Sequence, residues 1–315
     1  MKIVLLEPLG ISPERLAELK RPFEEEGHVF ADFARSTDTE VLKQEAGDAD
    51  AVILANMPFK GEVIEACSNL KYIDIAFTGV DHVDIKAAAA KGIAVSNASG
   101  YSTEAVAELS VGLTLSLLRY VKETEALCRA GAAKGSYMGT EIKGKTVGII
   151  GLGNIGGRSA ELYHAFGAEV LAYSRSFHAN APEYVQQVSL DELLGRSDIV
   201  VLHCPINDQS RGMINKETIA KMKDGAILIN VARGPVVVDQ DLYDALESGK
   251  LAGAGLDVFD KEPPLPEDHI LLKAKNTIVV PHIGFFTKEA MAIRADIVFD
   301  NLRSWLDGDH KNKIL

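Results

Sequence analysis

Residues 145–156, KTVGIIGLGNIG, constrain this chain more than any other stretch. The apolar run 147–150 fits a parallel strand buried on both faces, and the glycines at 151, 153 and 156 fit a sharp turn into a helix. Gly151 permits the turn, Gly153 offers backbone that no Cβ shields, and Gly156 lets helix and strand pack closely. A helix over 154–166, opening at Asn154 and Ile155, would aim free N–H groups and the positive end of its dipole at an anion. With a second strand expected at 169–173, the context is that of a dinucleotide site whose pyrophosphate rests on the glycine turn. The alternative is a glycine-rich turn in an α/β domain that binds nothing.

The residues after that second strand bear on the choice of dinucleotide. An acidic side chain there would bind the ribose 2′-hydroxyl of NAD and repel a 2′-phosphate. This chain has Ser174, Arg175 and Ser176 instead, two hydroxyls flanking a guanidinium that can grip a phosphate. The pattern favours NADP(H), with NAD(H) possible. Arg175 stacking on adenine would be compatible with either.

At 315 residues the chain is long enough for two domains. A formal charge of −12 argues against nucleic acid or an anionic membrane as partner. The three cysteines, Cys67, Cys128 and Cys204, lack metal-ligand spacing and read as free thiols in a reducing cytoplasm, so no metal is expected. The longest apolar stretch, 105–118, is too short to span a bilayer and contains Glu108. The amino end reads as a first strand, not as a signal peptide.

Residues 2–95 repeat a strand-then-helix rhythm, with strands expected at 2–6, 28–31, 51–55, 72–76 and 93–95. Helix starts show at Ser12 with Pro13, and in a capping box from Thr37 to Glu40. No glycine motif occurs in this half, which reads as a Rossmann-like (flavodoxin-like) domain without the phosphate loop. Ligands in such sheets bind beyond the carboxyl ends of strands. That places Asn56 and Met57, and then Phe77, Thr78, Gly79 and Val80, as substrate candidates. Gly79 either bares backbone N–H groups toward a carboxylate or makes an ordinary tight turn before Asp84.

A mostly apolar helix over 101–119 would join the lobes, followed by a helix to about 130 and a connector over 131–144. Strands then follow at 199–203, 226–230, 252–257 and 277–280, with helices near Asp191 and at 216–222 and 240–248. A last helix, 287–306, would return to the first lobe through a hinge near Phe285 and Phe286. The expected architecture is α/β, with two doubly wound parallel sheets. A dinucleotide-binding domain, 100–286, is inserted into a substrate domain made of 1–99 and 287–315.

Three polar residues stand just after strands of the second lobe: Arg233 in NVARGP, Glu262 in LDVFDKEPP and His282 in VVPHIG. Reduction of a 2-oxo acid requires such a set. An arginine binds and polarises the substrate, an imidazolium protonates the carbonyl oxygen, and a carboxylate keeps the imidazole charged and oriented. Spacing alone does not bring the three together.

The stretches TGVDHVD (78–84), NASGYSTEAVAE (97–108), GKTVGIIGLGNIG (144–156), HCPINDQSRGMIN (203–215), INVARGPVVVD (229–239), GLDVFDKEP (255–263) and PHIG (281–284) resemble, in this order, the D-isomer-specific 2-hydroxyacid dehydrogenases. The resemblance implies that Arg233, Glu262 and His282 are catalytic, and that backbone N–H groups at Thr78 and Gly79 hold the substrate carboxylate with Arg233. It also implies that Asp257 binds the nicotinamide carboxamide. Thr103, His203, Cys204, Pro205, Ser210, Val231 and Ala232 would line the cofactor, with His282 and Gly284 bordering it. The implied reaction exchanges a hydride between the nicotinamide and a small 2-oxo or D-2-hydroxy acid.

The run Ser174, Arg175, Ser176 is similar to that of NADPH-preferring glyoxylate and hydroxypyruvate reductases. Phe285 and Phe286 stand where smaller residues are common, and either narrow the pocket or pack on a partner subunit. The chain stops soon after its last helix, unlike many phosphoglycerate dehydrogenases. A homodimer is expected. The rival readings are an NAD-dependent D-lactate-type or phosphoglycerate-type dehydrogenase, and a nucleotide-sensing interaction protein of the corepressor kind.

Overall fold

The computed structural model describes residues 1–261 and 264–315. They form two compact units, one of Met1–Ser102 with Phe286–Leu315 and one of Thr103–Phe285. The first unit alternates β1 (Lys2–Leu5), α1 (Pro13–Glu25), β2 (Val29–Asp32), α2 (Thr39–Ala46), β3 (Ala51–Leu54), α3 (Gly61–Ala66), β4 (Tyr72–Ile75), α4 (Ile85–Ala90) and β5 (Ala94–Asn97). Its sheet runs β2-β1-β3-β4-β5 with every pairing parallel, the strand order of flavodoxin-like folds.

Several local signals act as the sequence suggests. The Ser12 hydroxyl caps α1 by accepting from Arg15 N at 3.2 Å, and Pro13 takes the first helical position, where a missing N–H costs nothing. At α2 the capping residue is Asp38, not Thr37: its carboxylate accepts from Glu40 N at 2.9 Å and Val41 N at 3.3 Å. Strand β5 continues to Asn97, beyond the expected end at 95, because the chain terminus pairs beside it. Asn97 N donates to Asn312 O at 3.1 Å and Ser96 Oγ to Lys311 O at 2.8 Å.

The second unit contains α5 (Thr103–Leu118), α6 (Val121–Arg129), β6 (Thr146–Ile150), α7 (Asn154–Ala165), β7 (Glu169–Tyr173), β8 (Val185–Gln187), α8 (Leu190–Arg196), β9 (Ile199–Leu202), α9 (Lys216–Lys221), β10 (Ala226–Asn230), α10 (Asp239–Glu247), β11 (Leu251–Leu256), α11 (Ile270–Lys273) and β12 (Thr277–Val279). Its parallel sheet runs β12-β11-β10-β9-β6-β7-β8. The order reverses between β6 and β9, so their carboxyl ends diverge into a crevice.

Both faces of this sheet are covered. Val147, Ile149, Ile199, Val201 and Ile229 face Leu113, Ala160 and Tyr163 of α5 and α7. Ile150, Val200, Leu202 and Leu228 face Leu193, Ile219, Leu242 and Leu246 of α8, α9 and α10. Burial on both sides is why these strands read as unbroken apolar runs. The buried hydroxyls of α5 are satisfied locally: Thr114 Oγ1 lies 2.7 Å from Tyr163 OH, which donates to Ser110 O at 3.0 Å. The chain then closes the first unit with α12 (Lys288–Leu306), capped by Thr287 and packed on α1 and β4. Among the described residues no helix is long and apolar enough to cross a membrane.

Candidate active site

The glycine turn after β6 behaves as steric reasoning requires. Gly151 adopts φ +102°, and a Cβ there would lie 2.7 Å from Cys204 N and 2.8 Å from His203 C, so the chain leaving β9 passes directly against it. At Gly156 a Cβ would fall 1.9 Å from Gly151 O, which ties α7 to the turn. At Gly153 a Cβ would meet nothing within 4 Å. This glycine fills no packing need and leaves backbone open to a ligand. The bond from Gly157 N to Gly153 O, 2.7 Å, opens the helical pattern, and the N–H groups of Asn154, Ile155 and Gly156 precede it without intrahelical acceptors.

Beside this turn lies a crevice of about 530 Å³, lined by Gly151, Gly153, Ser174, Arg175, Ser176, His203, Cys204, Pro205 and Ser210 among others. The volume lies within the range typical of small-molecule and cofactor sites. Ser174 is more committed than expected, since its Oγ accepts from Leu152 N at 2.8 Å, although its proton remains to be donated. Arg175 and Ser176 are exposed. Ser210 is 3 % exposed and its hydroxyl is engaged by the protein, donating to Pro205 O at 2.7 Å and accepting from Asn207 N at 2.8 Å. It shapes the loop after β9 and has little left for a ligand.

Both ring nitrogens of His203 are sealed from solvent and lack a hydrogen-bond partner within the described protein. Burial pushes its imidazole pKa down to about 3, so a neutral ring faces the crevice. His203 lines the crevice with its ring nitrogens buried behind the surface. Burial also pushes the Cys204 thiol up to about 11, which leaves it protonated and without a nucleophile's charge.

His203 should leave a mark on acid stability. A depressed folded-state pKa means that its contribution is complete above the unfolded value near ~6.5 and is lost as pH falls toward about 3. The melting temperature of the ligand-free protein is therefore expected to fall more steeply between those limits than that of His203→Gln. Parallel melting curves for the two would contradict this.

The remaining residues of the predicted site sit at the ends of β10, β11 and β12. Asn230 builds the first turn by accepting from Ala232 N at 3.1 Å and donating to Arg233 O at 3.1 Å. Arg233 Nη1 donates to Ala232 O at 2.8 Å. Val231 and Ala232 are buried, and Thr103 is half-buried at the start of α5. A Cβ on Gly234 would fall 1.6 Å from Phe259 O, so the Arg233 turn lies against the loop after β11. That loop is held in turn by His269, whose Nε2 lies 3.2 Å from Asp260 Oδ1 and 3.3 Å from Asp239 Oδ2. Glu262, the expected carboxylate partner of His282, lies outside the described residues.

Asp257, 1 % exposed, organises the turn that carries His282. Its Oδ1 accepts from Ile283 N at 2.6 Å, its Oδ2 from Gly284 N at 2.9 Å, and its carbonyl from His282 N at 2.8 Å. These bonds hold His282 at φ +54°, a left-handed conformation uncommon for a side-chain-bearing residue. Strain maintained by surrounding bonds is a feature of functional turns. The ring meets Phe285 edge to face, with centroids 5.3 Å apart.

In the first unit, a residue that sequence reasoning missed fixes the loop after β3. Glu7 is 3 % exposed, and its Oε2 accepts from Ala55 N at 2.7 Å and Met57 N at 2.9 Å, while Arg35 Nε donates to its Oε1 at 2.9 Å. Met57 is fully buried, whereas Asn56 is half-buried. Of the residues after β4, Phe77 is buried and Thr78, Gly79 and Val80 are half-buried. Asn97 Nδ2 donates to Thr78 O at 2.7 Å, and the Thr78 hydroxyl is buried without a hydrogen-bond partner among the described residues.

The comparisons agree with this geometry. Residues 111–284 match the family model "D-isomer specific 2-hydroxyacid dehydrogenase, NAD binding domain". A hydroxypyruvate reductase of Blautia hydrogenotrophica is 39% identical, covering 100% of this chain and 99% of its own. A D-3-phosphoglycerate dehydrogenase of Archaeoglobus fulgidus is 38% identical over 95% of this chain, but over only 57% of its own. The solved structure of an acyclic imino acid reductase in complex with NADPH and D-Arg superposes with a TM-score of 0.91 at 29% identity, covering 100% of each chain. A family model spanning more than half of the sequence, a full-length relative and two parallel α/β sheets agree. The chain belongs to the D-isomer specific 2-hydroxyacid dehydrogenase family and is an oxidoreductase that acts on CH–OH donors with a nicotinamide dinucleotide.

Proposed function

We propose that this enzyme is an NADPH-preferring reductase of small 2-oxo acids, with hydroxypyruvate and glyoxylate as its first substrates. The observation that carries the reading is the loop after β7, which brings Ser174, Arg175 and Ser176 to the crevice where the described lining has no carboxylate. A guanidinium there binds a 2′-phosphate through charge-assisted hydrogen bonds. A carboxylate would repel it.

When bound, the dihydronicotinamide supplies a hydride to the C2 carbonyl carbon. The chain's own residues do the rest. Arg233 binds the substrate carboxylate and polarises the carbonyl. His282 delivers the proton to the carbonyl oxygen, and Glu262 keeps its ring charged and oriented. Asp257 positions the His282 turn. Asp257 is also the carboxylate expected to accept from the nicotinamide carboxamide.

Initial rates over hydroxypyruvate, glyoxylate, pyruvate and 3-phosphohydroxypyruvate, each with NADPH and NADH, test this reading. The expected result is a kcat/KM at least about tenfold higher with NADPH, about 1.4 kcal/mol of selectivity, and highest for one of the first two acids. A tenfold preference for NADH, or for the phosphorylated acid, would contradict it in favour of the lactate-type or phosphoglycerate-type alternative.

A further inference from the structure

The loop from Ser174 to His178 has a tether at each end. At its start, Ser174 Oγ accepts from Leu152 N at 2.8 Å, which fastens the loop to the glycine turn. At its end, one side chain binds His178 on both sides of its backbone. Gln187 Oε1 accepts from His178 N at 2.9 Å and Gln187 Nε2 donates to His178 O at 2.8 Å. The amide can satisfy both bonds in this orientation only.

Gln187 is itself fixed, since it is the last residue of β8 and pairs with Ala172 of β7, and the next residue, Val188, donates from N to Ala172 O at 2.9 Å. The side-chain amide thus extends the sheet's hydrogen bonding by one rung to an irregular loop. Between the two tethers stand Arg175 and Ser176. Both are exposed. Their placement therefore depends on the loop backbone.

We infer that Gln187 is a positioning residue for cofactor choice: by clamping the His178 backbone it holds Arg175 and Ser176 where a 2′-phosphate would lie. The inference rests on the NADPH reading above. A long, exposed guanidinium must be ordered to grip a small anion, and a loop already ordered in the free protein reduces that cost at binding. NADH has no 2′-phosphate to read the loop's position. The clamp therefore acts on NADPH alone, and it acts on binding and not on the chemical step.

The test compares wild type with Gln187→Ala, Gln187→Glu and Arg175→Ala, measuring KM and kcat with NADPH and with NADH at saturating hydroxypyruvate. Gln187→Ala is expected to raise KM for NADPH about tenfold, with kcat unchanged and KM for NADH within about twofold. Gln187→Glu keeps the acceptor for His178 N but turns an anion toward His178 O. It is expected to show the same one-sided loss and decides the matter if the alanine variant folds poorly. Arg175→Ala is expected to abolish the NADPH preference. If Arg175→Ala removes that preference while both Gln187 variants keep it, or shift both cofactors equally, the clamp is overturned and the NADPH reading stands. If Arg175→Ala leaves the preference intact, the NADPH reading fails and the clamp with it.

Discussion

His282→Ala is expected to lower kcat for 2-oxo acid reduction by ~10²-fold or more, the usual scale for losing a positioned general acid, while a fluorescence titration still detects NADPH binding. The histidine stands on a turn whose backbone is held by three bonds to Asp257, so removing the ring does not release the turn. His282→Asn sharpens the test. Asparagine tolerates left-handed backbone better than most residues and so accepts the φ of +54°, yet it cannot act as an acid near neutral pH. An equal loss in both variants assigns the effect to chemistry. Turnover that survives in His282→Asn would remove the histidine from the mechanism, and a protein that merely senses nucleotides would have no turnover to lose.

Gly234→Ala should produce the largest structural effect. Its Cβ would fall 1.6 Å from Phe259 O and 1.8 Å from Phe259 C. Both atoms are backbone, so no side-chain rotation relieves the clash. Overpacking of this severity costs about 3 kcal/mol or more, which for a domain of this size lowers the melting temperature by roughly 10 °C. Because Arg233 precedes this glycine, kcat/KM should fall as well. Gly153→Ala is the complementary case, since nothing lies within 4 Å of its Cβ. It is expected to melt as wild type does while binding NADPH more weakly. Equal melting temperatures for wild type and Gly234→Ala would show that the Arg233 turn and the loop after β11 are not in contact.

The glycine turn was legible in the sequence because its constraints are local: an apolar strand, three glycines at fixed spacing and an amphipathic helix follow one another directly. The longer strands and helices were legible for the same reason. The short elements β8 and α3 have neither a period nor the unbroken apolar run that marks the equally short β3 and β9. At α2, Thr37 and Asp38 can both cap a helix, and only the backbone path gave the role to Asp38. What stayed hidden is what depends on distant partners. Glu7 holds N–H groups 48 and 50 residues away, Asn97 reaches back to Thr78, and the Arg233 turn meets the Phe259 backbone. Met57 and Asn56 stand side by side after a strand, yet the first is buried and the second half-buried. Position along a strand does not reveal which way the next side chain turns.

Hydride transfer from NADPH to a small 2-oxo acid is tested most directly by isotope. The enzyme is given hydroxypyruvate and NADPH carrying deuterium at both C4 positions, and the glycerate formed is analysed for label and configuration. Deuterium at C2 of D-glycerate, formed faster than from equally labelled NADH, is the expected result. Unlabelled glycerate, the L isomer, or faster formation from NADH would contradict it.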